Sequence, residues 1–257
     1  MKIEKHATHA ISWIDLAAQD LDQQVEFYTD MMGWSTFEAP GTGYTIFMVG
    51  DQPVAGCMAI SEQMGAMPSV WSTYVNVEDA DATCAKAIEL GGSVFQEPFD
   101  IPDGGRIAVI ADPSQAAICV FEGGADTGIR LLDEPGAPCW FEVMSHDAKA
   151  AVDFYEKLFG WRSEPMPGPM DYKVFHLGDN PVAGCMQLGE GMPEGIPSHW
   201  QASFSIDGPI QDFMDKATGK GAKVLMGPME TDFGSGAVMA DPAGASFVAF
   251  DRSKATM

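Results

Sequence analysis

Two carboxylates stand out for the chemistry their surroundings would permit. Asp15 lies two residues after Trp13, and Glu142 two residues after Trp140. In an extended strand, residues i and i+2 share a face, so each acid has an indole as neighbour. A carboxyl beside a large apolar ring loses solvation, titrates higher than usual and becomes a candidate general acid or base. Asp15 and Glu142 are therefore the candidate catalytic residues. The competing reading makes them structural acids, satisfied by backbone N–H groups or by an arginine. Arg106 is the candidate partner for Asp15, although the second half has Ser235 in its place.

Other side chains join them as candidate ligand contacts. Trp13, Trp140, Trp71 and Trp200, with Tyr44 and Tyr172, could line a cavity or simply fill a core. Cys57 and Cys185 occur in a repeated PVAGCM segment. A nucleophilic thiol needs a base or cation beside it, and none is visible locally. A small buried hydrophobe is their plainer role, and the glycine before each suggests a close backbone approach or a bulge. His9, His146, His176 and His199 show no spacing that would bring them onto one ion. His176 and His199 lack counterparts in the other half, where Met48 and Val70 stand.

The elements that position these residues are themselves repeated. PVAGCM at 53–58 returns at 181–186, Phe27-Tyr28 as Phe154-Tyr155, Gly33-Trp34 as Gly160-Trp161, and Asp112-Pro113 as Asp241-Pro242. The spacing of about 128 residues is domain-sized, which indicates a tandem duplication and no solenoid. Each half again holds two similar modules. In the first, 9–17 alternates as a strand and Asp20 caps a helix with Val25, Tyr28 and Met32 on one face. That helix ends at Gly33 and is followed by strands at 34–38, 44–49 and 53–60. The second has a strand at 71–77, a helix capped by Asp79 and running to Leu90, then strands at 93–97, 106–111 and 116–121. The order β-α-β-β-β thus recurs four times. The expected divisions are a first domain at 1–123 (modules 8–60 and 69–122), a linker at 124–136, and a second domain at 137–257 (modules 137–188 and 198–251).

Composition narrows the partners. A net charge of −23 repels nucleic acid and anionic membrane surfaces. No apolar run reaches the ~18 residues a membrane helix needs, and the opening MKIEKHATHAISWIDL lacks the apolar segment of a secretory signal. Five cysteines without a C-x-x-C fit reduced thiols and a cytoplasmic location.

A βαβββ unit whose helix ends in FYxxxxGW and whose final strand follows D-P resembles the vicinal oxygen chelate superfamily. That group contains the glyoxalases, bleomycin-resistance proteins and extradiol dioxygenases. Pro138-Cys139-Trp140-Phe141-Glu142 and the duplicated PVAGCM are similar to its tandem glyoxalase-like branch. The resemblance implies an α+β fold: four βαβββ modules forming two half-open, eight-stranded barrel-like sheets with helices outside. It also implies a metal held by the first and last strands of paired modules. The matching positions carry Trp13, Ser72 and Cys119 in one half and Trp140, Gln201 and Val248 in the other. An indole has only a donor N–H, so Gln201 and Cys119 alone have lone pairs suited to an ion, and they lie in different halves. No metal site and no cofactor are therefore expected, with a divalent metal disfavoured.

Two functional readings follow. One is a bleomycin-resistance-like binder holding a small organic molecule between aromatic side chains, with Cys119, Gln201 and Arg106 among its contacts. The alternative is a glyoxalase-family enzyme, related to lactoylglutathione lyase or to the oxygenases. It would act on a small carbonyl or oxygenated substrate, through a metal or through Asp15 and Glu142. A monomer or homodimer is expected, since duplication supplies internally what a dimer supplies elsewhere.

Overall fold

The computed structural model describes residues 1–101, 105–123, 127–168, 171–189 and 195–253. The first half contains β1 (Ile11–Ala18), α1 (Leu21–Met32), β2 (Ser35–Ala39), β3 (Tyr44–Val49), β4 (Gln52–Ala59), β5 (Val70–Asn76), α2 (Ala80–Glu89), β6 (Ser93–Ile101), β7 (Gly105–Ala111) and β8 (Ala117–Glu122). The second repeats the series as β9 (Pro138–Ser145), α3 (Ala148–Phe159), β10 (Arg162–Pro165), β11 (Tyr172–Leu177), β12 (Asn180–Gln187), β13 (His199–Ser205), α4 (Ile210–Gly219), β14 (Lys223–Thr231), β15 (Gly234–Ala240) and β16 (Ser246–Asp251).

The two modules of each half merge into one mixed sheet. Strand order is β2-β3-β4-β1-β5-β8-β7-β6 in the first and β10-β11-β12-β9-β13-β16-β15-β14 in the second. The first strands of the two modules pair antiparallel at the centre, β1 with β5 and β9 with β13. Each also lies parallel to the last strand of its own module. Neither sheet closes: β2 and β6 are the edges of one, β10 and β14 of the other.

Alternation divides each sheet into an inner and an outer face. On β1, Ile14, Leu16 and Ala18 are fully buried toward the helices, whereas Trp13, Asp15 and Ala17 point the other way. The helices pack by the same logic. Asp20 caps α1 by accepting from the Gln23 amide, and Gly33 in the left-handed region ends it, as Gly160 ends α3. The inner faces of both halves join in one continuous apolar core. Strands β5 and β13 touch there, while α1 packs beside α4 and α2 beside α3.

The FYxxxxGW repeat makes the clasp between halves. The Trp34 indole donates to the Gly136 carbonyl (2.5 Å) just before β9, and the Trp161 indole to the His9 carbonyl (2.8 Å) just before β1. Tyr28 accepts from Trp71 Nε1 (2.8 Å) and donates across to Asp241 Oδ2 (3.0 Å) in the other half. Tyr155 likewise accepts from Trp200 Nε1 (2.8 Å) and faces Asp112 of the first half. The D-P aspartates also close their own turns, taking backbone N–H groups on Oδ1.

The expected linker starts with 124–126, which lie outside the described residues. Farther on it is tied down: Ile129 N donates to Ser12 O and Arg130 N to Pro53 O, both at 2.8 Å. It thereby fills the gap between β1 and β4 ahead of their pairing. The strand expected at 93–97 is longer than foreseen, nine residues in β6, and β14 has the same length. Both carry register shifts that bend them around Pro98 and Pro228.

Candidate functional site

The outer face of each sheet brings together an indole, a phenol and a carboxyl. In the first half the Trp13 indole donates to Asp15 Oδ1 (2.8 Å) and contacts the Tyr44 hydroxyl (2.6 Å). Tyr44 in turn donates to the same Asp15 oxygen. In the second half Trp140 Nε1 donates to the Tyr172 hydroxyl (2.6 Å), which donates to Glu142 Oε2 (2.9 Å).

Each tyrosine reaches its acid from two strands away, passing over the glycine of PVAGCM. Gly56 pairs with Asp15, and Gly184 with Glu142. A Cβ on Gly56 would stand 1.8 Å from the Tyr44 hydroxyl, and one on Gly184 1.9 Å from that of Tyr172. Any side chain there would displace the phenol, so glycine is required by close approach. The glycine, expected to mark a backbone approach or a bulge, instead clears the path of a side chain.

Burial dominates the electrostatics. Asp15 is only 5% exposed, and its carboxyl titrates above the usual range mainly through desolvation, which the bonds from Tyr44, Trp13 and Tyr74 partly oppose. The Glu142 carboxyl is likewise raised by desolvation, opposed by the Tyr172 bond. Both are weakened acids, and the tyrosines beside them hold their protons more tightly than usual.

The strand register places the remaining candidates. Ser72 lies opposite Asp15, and Gln201 opposite Glu142, where its amide donates to Ser246 Oγ (2.9 Å). Cys119 lies opposite Tyr74 on the same outer row as Trp13, and burial pushes its thiol up to about 12. Five other candidates do not reach this face. Trp71 and Trp200 point inward, since they are one residue out of step with Ser72 and Gln201, and they donate to Tyr28 and Tyr155. Cys57 and Cys185 are fully buried on the inner face, and burial raises both thiols to about 12. Arg106 does not pair with Asp15. Its guanidinium is taken by Asp81 (2.7 Å) and Asp100 (2.8 Å) at the sheet margin.

Two residues that sequence reasoning passed over belong to the site. Tyr74, 7% exposed, stands opposite Trp13 with its phenol near Asp15. Ser203 holds the equivalent place opposite Trp140. The i+2 rule from Ser72 and Gln201 was the signal that would have found both.

Among the described residues no three His, Cys, Asp or Glu side chains gather closely enough to hold an ion. Of the six positions that the resemblance assigned to metal donors, Trp13 and Trp140 have only N–H groups and Val248 has no donor atom, which leaves Ser72 and Cys119 on one sheet and Gln201 on the other. The residues present do not fit a metal centre. Among the described residues, no helix is long and apolar enough to cross a membrane.

Comparison with known proteins agrees with this architecture. Residues 10–120 match the family model described as "Glyoxalase/Bleomycin resistance protein/Dioxygenase superfamily". The chain is 33% identical over 246 residues to a putative glyoxylase, CFP32, of Mycobacterium tuberculosis, covering 92% of each. It is 32% identical over 261 residues to the anthracycline biosynthesis protein DnrV of Streptomyces peucetius, covering 95% of this chain and 93% of that one. Among solved structures, the Mn(II)-bound glyoxalase from Novosphingobium aromaticivorans superposes with a TM-score of 0.65 at 15% identity, covering 95% of this chain and 82% of that one. The 2,3-dioxygenase LapB from Pseudomonas sp. KL28 gives 0.62 at 14% identity, covering 95% and 93%.

Proposed function

The chain belongs to the glyoxalase/bleomycin resistance protein/dioxygenase superfamily, and on that premise we propose that it binds a small organic molecule on its outer sheet faces. The carrying observation is the repeated cluster of indole, phenol and carboxyl, each seated over a glycine. An apolar face with a few convergent polar groups is what a small-molecule site needs. Around Asp15, Phe37 and Ile46 extend the same register row, and Phe121 and Ile107 continue the face toward the other edge. A flat, largely apolar ligand would lie on these side chains and present an oxygen to the carboxyl. A protonated Asp15 or Glu142 donates to a carbonyl or ether oxygen, and the ionised form accepts from a phenol or enol.

In this reading the positions that the resemblance assigned to metal donors carry side chains, Trp13 and Trp140, that shape the binding face. The −23 charge argues against an anionic ligand.

A second reading has support of its own in the raised carboxyls. A weakened acid held beside a bound carbonyl compound is poised to move a proton to its oxygen or from an adjacent carbon. The chain would then be an acid–base enzyme of the superfamily, with Asp15 or Glu142 moving the proton and the paired tyrosine orienting the carboxyl.

One experiment addresses both. The protein is titrated with 2-naphthol and 1,4-naphthoquinone while intrinsic Trp fluorescence is followed, and the mixtures are then analysed for product. Saturable quenching that weakens in W13F or W140F supports binding. Turnover lost in D15N or E142Q adds the enzymatic reading. Quenching that is linear and unchanged in both Trp variants would defeat the proposal.

A further inference from the structure

The two outer faces carry the same cluster in different surroundings. In the first half one register row runs through Phe37, Ile46, Gly56, Asp15 and Ser72. The matching row of the second half is Glu164, Val174, Gly184, Glu142 and Gln201. Phe37 stands on the edge strand β2 and is 54% exposed. Sheet edges are ordinarily blunted by charge, as Glu164 blunts β10, so the open phenylalanine is apolar surface left without cover.

The far edge shows the same contrast. Phe99 on β6, 43% exposed, lies opposite the half-buried Ile107. Phe121, next to Ile107, turns its ring over Gly105 and Gly123. Its counterpart Phe250 instead covers Gly236, where a Cβ would stand 2.8 Å from that ring. The centre of the second face is shut too. Gln201 and Ser203 are each 4% exposed, and the Gln201 amide is held by Ser246. Ser72, in the place of Gln201, is half-buried. Trp13 and Tyr44 both meet Oδ1 of Asp15, which leaves Oδ2 for Tyr74 and a ligand.

We propose that the first half holds the ligand, on the row from Asp15 to Phe37, and that the second face is closed to it. This rests on the outer-face reading above and decides which copy carries it out. Three strand spacings, about 14 Å, separate Asp15 from Phe37. The Phe37 side chain takes up part of that span, and a fused two-ring compound covers the rest. The ligand class is therefore an uncharged bicyclic aromatic compound with a hydroxyl group. Its rings would lie on Ile46 between Phe37 and Trp13, and its hydroxyl would donate to Asp15 Oδ2 and accept from Ser72. An ionised substituent lying over Phe37 and Ile46 would lose hydration without gaining a partner. On the second row the Glu164 carboxylate would have to shed water against the same rings.

The test uses the full chain labelled with 5-fluorotryptophan, its six resonances assigned by single Trp→Phe variants, and titrated with 2-naphthol. The expected result is a saturable shift of the Trp13 resonance with Trp140 unmoved at the same concentration. F37E, which copies the second half's residue at an exposed position, is expected to weaken that response at least fivefold without moving the urea midpoint. S72Q, which copies Gln201, is expected to weaken it as well; should S72Q not fold, F37E still decides. A shift of Trp140 equal to or larger than that of Trp13 overturns the division between halves while leaving outer-face binding intact. An undiminished Trp13 shift in F37E removes the row from Asp15 to Phe37 as the ligand's place. If neither resonance moves, this inference falls together with the reading beneath it.

Discussion

Replacing Tyr28 with Phe removes one oxygen from the centre of the molecule, and its consequences follow from the atoms around it. Tyr28 is fully buried; its hydroxyl accepts from Trp71 Nε1 at 2.8 Å and donates to Asp241 Oδ2 at 3.0 Å. In Tyr28→Phe the indole N–H is left without an acceptor in a dry core, a loss of about 1–3 kcal/mol. The carboxyl of Asp241, itself 2% exposed, loses a donor. With its amide nitrogen turned toward that oxygen, Gln24 donates at 2.7 Å, and this retained bond limits the second loss. The total comes to about 2–4 kcal/mol. Urea unfolding followed by far-UV circular dichroism measures it. Because the bond joins α1 to the turn before β16, Trp13 and Trp140 fluorine signals are expected to disappear at the same urea concentration in the natural chain. Trp71→Phe in the same background removes the stranded N–H and should return about 1 kcal/mol. A Tyr28→Phe loss below about 0.5 kcal/mol, an ordinary surface value, would refute the claim that this clasp holds the halves together.

Further outcomes are expected from the same geometry. Gly184→Ala must push the Tyr172 hydroxyl off Glu142, because the new Cβ would lie 1.9 Å from it. A destabilisation of about 1–3 kcal/mol, seen in thermal or urea unfolding, is expected, and an unchanged midpoint would count against the close approach. The native thiols should resist Ellman's reagent at pH 8, because burial raises Cys57, Cys119, Cys139 and Cys185 to about 12 and Cys84 to about 11. Rapid labelling of Cys57 or Cys185 in folded protein would contradict this. The raised carboxyls of Asp15 and Glu142 mean that the folded chain holds protons the unfolded chain has released. Their stabilising contribution is full below the ordinary carboxyl range, about pH 4, and is lost as pH climbs through each folded-state value. Stability should accordingly fall less steeply over that interval in a D15N/E142Q double variant than in the natural chain. An identical slope in the two proteins would rule the effect out.

Much of the architecture was legible because the repeat wrote it twice. Asp20 and Gly33 marked the limits of α1, and alternation around Trp13 and Trp140 fixed which side of the central strands carries the acids. The i+2 rule also separated Ser72 from Trp71, yet Trp71 and Trp200 entered the candidate cavity because aromatic side chains serve a core and a ligand equally well. Their inward role needed the partner, Tyr28 or Tyr155, that only the packing supplies. Arg106 was placed near Asp15 by charge alone, and strand pairing carried it to Asp81 and Asp100 instead. The clasp between halves was hidden for a related reason. Tyr28 and Asp241 are 213 positions apart, and no local pattern links a helix residue to a turn in the other copy. Tyr74 and Ser203 were missed although they obey alternation, because their difference acquires meaning only when β5 and β13 are set beside β1 and β9.

The central claim is that burial makes unusually weak acids of Asp15 and Glu142. Carbon-13 NMR of the side-chain carboxyls, recorded across a pH series and assigned with D15N and E142Q, reads this directly. Both midpoints are expected above their ordinary values of about 3.9 for Asp and about 4.3 for Glu. Midpoints at or below those values would contradict it.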